Sequence, residues 1–312
     1  MSTFSGHPRR RTLTTAGLSL LIAAPAMALV VGCGGDAKRD AGETAEVATP
    51  QLAVPEPTAT DLNSNGKPDK DPSDQDWPGK MVVALGDADT PEATQGRTFM
   101  ENTRLLDHLA DDINNTLKLP FDVTLKGAQC GSPNDFWSPG DKTLTMCYED
   151  ATASIQTFEK LGYPDPQGAT FNTEAGFFYH EVGHMVIDIY QLPATGRDED
   201  IADEASAYLM LLQNDDGTVD PASIDSVKDV ARLYEDAANG GGAVDDGALA
   251  DVHSPDKARM YNFECWAYGA DPARGADLVS SGMLPQGRAD GCGDEYEKLE
   301  RAWSTLLAPY LK

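Results

Sequence analysis

Apolar positions along this chain recur with two periods, and the period changes about midway. KMVVAL at 80–85 is a short apolar run that predicts a strand. From Pro91 to Leu117, apolar residues at 99, 105, 106, 109, 113 and 117 keep helical spacing and predict one helix. FDVTLKG (121–127) and KTLTMCYE (142–149) read as further strands. Helical spacing then dominates over 151–162, 173–190, 198–214, 221–238, 255–268 and 293–309. Asp220-Pro221 supplies an N-cap and a first-turn proline for one of these helices. AANGGGAVDDGALA (237–250) predicts a glycine-rich loop, and no internal repeat is visible. A small early sheet followed by helices predicts an α+β fold.

The first part of the chain follows different rules. Arg9-Arg10-Arg11 precedes an apolar segment at 16–31 that is short and rich in small residues, as in an export signal. VVGC at 30–33 then resembles a bacterial lipobox, which makes Cys33 the lipidated residue and the new N-terminus. The rival reading is an uncleaved signal anchor. Residues 33–78 are rich in Pro, Thr, Ala, Asp and Glu and predict a disordered tether, which leaves 79–312 as the folded domain. Within the tether, DLNSNGKPDKD offers Asp61, Asn63, Asn65, Asp69 and Asp71 in the manner of a calcium loop. Its twelfth position is Pro72 rather than Glu, so an acidic linker with turn residues is the alternative.

Charge narrows the partners. A formal net charge of -27 repels nucleic acid and anionic lipid, so contact with a membrane is expected only through the lipid anchor. The sequence says nothing about oligomeric state. Removing Cys33 leaves Cys130, Cys147, Cys265 and Cys292, an even number that suits an oxidising compartment. Proximity in sequence pairs Cys130 with Cys147 and Cys265 with Cys292. None has the CxxC spacing of a cysteine zinc site.

The chemistry centres on FFYHEVGHMVID, residues 177–188. On a helix, His180 and His184 share a face and can bind one metal, with Glu181 beside it to take a proton from water. A third ligand is offered by the acidic start of DEDIADEASAYLMLL (198–212), whose acids otherwise suit a helix N-terminus or solvent. Glu199 and Asp203 have the spacing for a ligand and an acceptor for a histidine N–H, and Asp200 and Glu204 have the same spacing.

HExxH followed by ExxxD resembles the gluzincins, the thermolysin and neprilysin group of zinc peptidases. EDIAD is similar to the neprilysin segment ENIAD, and the resemblance selects Glu199 as ligand and Asp203 as its outer neighbour. It also gives Asp188 an outer role. DVHSPDKAR (251–259) resembles a segment in which the His stabilises the oxyanion, the Asp orients that His and the Arg binds a substrate carbonyl. This implies those roles for His253, Asp251 and Arg259. NDFWSP (134–139) resembles the segment leading into a substrate-binding edge strand and places Asn134 and Asp135 at the substrate, with Asp135 where that pattern carries Ala. Tyr261 and Tyr208 remain open as helpers of the oxyanion. The order of motifs over residues 95–310 is similar to a bacterial family named as metallopeptidases on this motif alone. The large helical domain that limits neprilysin to small peptides has no counterpart here, so its substrate-size rule does not transfer.

The expectation is a lipid-anchored, extracytoplasmic zinc metallopeptidase acting on a peptide or protein. Two rivals remain: an inactive binding lipoprotein on the same scaffold, and a zinc amidase acting on cell-wall peptides.

Overall fold

The structure, a computed structural model, describes residues 76–214, 216–240 and 244–312. Cys33, the apolar segment before it and the calcium-loop candidates from Asp61 to Asp71 lie outside these residues. The α+β expectation holds: a small sheet comes first and helices fill the rest. Strands β1 (Met81–Leu85), β2 (Val123–Ala128), β3 (Asp135–Ser138) and β4 (Thr143–Cys147) form one sheet in the order β1-β2-β4-β3. β1 and β4 both run parallel to β2, while β3 runs antiparallel to β4 with Trp137 opposite Leu144. β3 is therefore an edge strand, as the NDFWSP resemblance implies.

Parallel neighbours need a crossover, and the predicted helix between β1 and β2 supplies it. It is two helices, α1 (Pro91–Thr103) and α2 (Leu105–Thr116), rather than the one expected. Arg104 adopts a left-handed φ of 53° between them. The reason is in the apolar stripe. Phe99 and Met100 are buried, but positions 103 and 104, where the stripe would continue, are Thr and Arg. Breaking the helix resets the phase so that Leu105, Leu106, Leu109 and Ile113 also face the core.

The later helices are α3 (Tyr148–Lys160), α4 (Pro166–Tyr190), α5 (Asp198–Met210), α6 (Pro221–Gly240), α7 (Asp246–Ala250), α8 (Asp256–Ala270), α9 (Ala276–Ser280), α10 (Gln286–Ala289) and α11 (Cys292–Leu307). α4 starts seven residues before the predicted 173. Asp165 caps it by accepting from the Gly168 N–H, and Pro166 opens it, the same start signal as Asp220-Pro221. Part of the expected loop at 237–250 is helical, in the end of α6 and in α7. Trp77 packs edge-on against Tyr190 and Tyr310, so ordered packing reaches two residues before Gly79. Cys130–Cys147 ties the loop after β2 to the end of β4, and Cys265–Cys292 ties α8 to α11, as sequence proximity suggested. Disulfides of this kind suit an extracytoplasmic protein. No helix among the described residues is long and apolar enough to cross a membrane.

α4 is the central element. Phe178, Val182, Met185 and Val186 are fully buried on one side of it. The opposite face carries Phe177, His180, Glu181, His184 and Asp188 into a cleft of about 800 Å³. Asn134 through Trp137, Glu199, Tyr234, His253 and Arg259 also line this cleft.

Candidate active site

Helices α4 and α5 and the edge strand β3 form the centre of the site, and α6, α8 and the segment before α8 complete its wall. α4 and α5 cross closely because Gly183, inside the HExxH turn, has no side chain. A Cβ there would sit 2.9 Å from Ala205 Cβ and 3.0 Å from Ala202 Cα. The close approach brings the first turn of α5 over the two histidines. That turn is Asp198-Glu199-Asp200, whose negative charge suits a helix N-terminus.

The three expected ligands converge. His180 Nε2 lies 3.0 Å from Glu199 Oε2 and 3.2 Å from His184 Nε2, and His184 Nε2 lies 3.4 Å from Glu199 Oε2. A tetrahedral ion with donors at about 2.0–2.1 Å holds those donors roughly 3.3 Å apart. The triangle therefore fits a zinc-sized ion, and the donor set of two imidazoles and one carboxylate fits its chemistry. His180 Nδ1 meets Asp203 Oδ1 at 2.8 Å, which fixes the ring with its Nε2 directed at Glu199. Asp203 in turn receives two bonds from Arg259, from Nε at 2.7 Å and from Nη2 at 2.6 Å. The rival acids turn elsewhere: Asp200 accepts from the Ser254 hydroxyl and Glu204 is exposed.

Glu181 stands beside these donors, 8% exposed, and accepts the backbone N–H of Trp137 at 2.8 Å. Burial pushes its pKa up, against the lowering pull of His180, His184 and the Trp137 N–H. Burial works to lower His180, but its bonds to Asp203 and Glu199 lift it to about 9. Hydrogen bonds from His180 and His184 hold Glu199 well below the usual carboxylate range. Burial acts to raise Asp203, but the bonds from Arg259 and His180 outweigh it and lower its pKa.

His253 comes from the segment between α7 and α8. Its Nε2 lies 3.1 Å from Glu199 Oε2, and its Nδ1 lies 3.0 Å from Asp251 Oδ1. Asp251 also accepts the His253 backbone N–H at 2.9 Å. His253 is thus held at the rim of the triangle, half-exposed to the cleft.

Some residues are placed differently from expectation. Asp188 accepts the Trp137 indole N–H at 3.2 Å rather than meeting a histidine. The Asp135 side chain turns inward, where Oδ1 accepts the Cys147 N–H at 2.8 Å. Asn134 is exposed at the cleft. Tyr208 packs near Trp303, and the tyrosine in the cleft is Tyr234, whose ring stacks with the Arg259 guanidinium at 4.3 Å. Nothing in the local sequence marks Tyr234, which sits in the helical stripe of α6. Asp150 also lines the cleft, with the Glu174 carboxylate buried close to it; the sequence marks neither, although Glu174 lies seven residues before Glu181 on one helix face.

Comparison with known families agrees with this geometry. A family model described as "Putative metallopeptidase" matches residues 86–307, and the chain belongs to that family. No curated protein and no solved structure matches the chain.

Proposed function

We propose that this protein is a lipid-anchored, extracytoplasmic zinc metallopeptidase. The observation that carries the reading is the triangle of His180, His184 and Glu199 with the buried Glu181 carboxylate next to it. Those three side chains would hold a zinc ion, which would supply Lewis-acid polarisation of a carbonyl and a more acidic water.

The chain's own residues do the rest. β3 pairs with a strand on one side only, and an extended peptide can add along its outer edge across the cleft, beside the Trp137 N–H that Glu181 occupies. The Trp137 N–H holds the Glu181 carboxylate in place, and Glu181 takes a proton from the attacking water. The same carboxyl later delivers the proton to the leaving amine. Asp251 holds His253 through Nδ1 and through its backbone N–H, so Nε2 is aimed into the cleft to stabilise the developing oxyanion. Arg259 adds positive charge at the cleft wall, fixed by Asp203 below and Tyr234 beside it. Lipidation at Cys33 would hold the domain outside the cytoplasm, which suits its two disulfides.

The test is cleavage of a mixed peptide library by wild type and by Glu181→Gln. Wild type cleaves, and the variant keeps its metal but loses turnover by at least about 100-fold. Equal rates would remove Glu181 from the reaction. Peptide binding without cleavage by the metal-loaded wild type would favour a binding lipoprotein instead.

A further inference from the structure

A second group of carboxylates lies in the wall of the same cleft. Asp135 comes from β3, Asp150 from the first turn of α3 and Glu174 from α4. One carboxylate oxygen of each lies within 4.8 Å of the other two. Asp135 and Asp150 line the cleft, and Glu174 is fully buried.

Their hydrogen bonding is incomplete. Asp135 Oδ1 accepts from the Cys147 N–H, and Glu174 Oε1 accepts from the Ser154 hydroxyl at 2.9 Å. Asp135 Oδ2 and Glu174 Oε2 are buried with no hydrogen-bond partner. A buried carboxylate oxygen left unpaired is costly, and three acids facing one another multiply that cost. The role proposed for the histidine centre requires no acid here.

We propose that Asp135, Asp150 and Glu174 form a site for a hard divalent cation, calcium by size, that ties the edge strand to the catalytic helix. Three atoms at most 4.8 Å apart always leave a point within about 2.8 Å of each. Calcium–oxygen distances of about 2.3–2.6 Å need only a slight contraction from there, whereas magnesium demands about 2.0–2.1 Å in a strict octahedron. All donors are oxygens, which disfavours zinc or copper. The cleft side, at Asp150, leaves room for the waters that complete a calcium shell. The charge also fits, because a divalent ion offsets most of three carboxylates. Without one, burial and mutual repulsion push Asp135 and Glu174 well above the carboxylate range, and burial pushes Asp150 up to about 7. The inference stands on these three side chains and does not depend on peptidase activity.

The experiment is calorimetric titration of calcium chloride into the full chain, zinc-loaded and freed of other ions. It is repeated on Glu174→Gln, on Asp150→Asn and on a linker variant, Asp61→Asn with Asp69→Asn. Zinc content and circular dichroism confirm that each variant is folded. The expected result is a calcium event in wild type that survives the linker changes and weakens tenfold or more in both Glu174→Gln and Asp150→Asn. A matching rise in melting temperature with calcium should vanish in the same two variants. No calcium binding in wild type would overturn the proposal, as would binding lost only in the linker variant. Binding unchanged by Glu174→Gln and Asp150→Asn would overturn it as well, leaving the acids to share protons or to receive a basic substrate side chain.

Discussion

The backbone N–H of Trp137 donates to the Glu181 carboxylate over 2.8 Å, so the strand that would align a peptide also positions the base that would act on it. The bond comes from the outer edge of β3, since β4 pairs with the other edge. Trp137→Pro therefore removes a donor to Glu181 without removing a sheet hydrogen bond. A hydrogen bond to a charged group contributes about 1.5–3 kcal/mol, so turnover should fall roughly 10- to 100-fold with metal content unchanged. Trp137→Phe keeps the N–H and loses only the indole bond to Asp188, and should stay close to wild type. Steady-state kinetics on the two variants separates backbone from side chain.

Asp203 joins His180 to Arg259, and both its oxygens are engaged. Asp203→Ala should weaken zinc binding by about 10- to 100-fold, measured by competition with a chelator. It also leaves the Arg259 charge buried without its partner, at a stability loss of about 3–5 kcal/mol. The folded pKa of Asp203 is depressed, so its contribution is present above the ordinary aspartate range and lost as pH falls through the folded value.

Gly183→Ala gives the sharpest packing test. In an exposed helix, replacing Gly by Ala stabilises by about 0.5–1 kcal/mol. Here the new Cβ would press on Ala202 and Ala205 and push α5 away from α4. The prediction is the opposite sign, a loss of about 1–3 kcal/mol, together with weaker zinc binding because Glu199 rides on α5. Denaturant unfolding and chelator competition read the two effects.

Asp150 predicts a pH dependence. Burial raises its folded pKa to about 7, so the folded state binds this proton more tightly than the unfolded state does. The stability it contributes is present below the ordinary aspartate pKa and is lost as pH rises through about 7. Asp150→Asn removes that loss. In calcium-free buffer the variant should gain on wild type between about pH 4 and pH 7, on the order of 1.4 kcal/mol per unit at most. A difference that stays flat across this range would contradict the assignment.

The histidine centre was legible in the sequence because its parts are local. His180, Glu181 and His184 fall within two turns of one helix, Glu199 and Asp203 within another, and Asp251 and His253 are two apart. Spacing alone could not choose between Glu199 and Asp200, and the motif resemblance decided it. The break at Arg104 was hidden because apolar residues continue on both sides and only the phase changes. Asp150 and Glu174 escaped notice for a different reason. They sit on separate helices and meet only through the packing of α4 against α3 and β3, which no local period records. Tyr234 likewise reads as one more core position of α6, and its contact with Arg259 exists only across the assembled cleft.

The central claim is that His180, His184 and Glu199 hold one zinc. The direct measurement is metal content per chain by elemental analysis of the full chain, beside His184→Ala and Glu199→Ala. The account predicts about one zinc per wild-type chain and loss of most of it in both variants, each still folded by circular dichroism. Zinc retained in Glu199→Ala would contradict the assigned third ligand. A wild-type chain that takes up no zinc when it is supplied would contradict the metal centre itself.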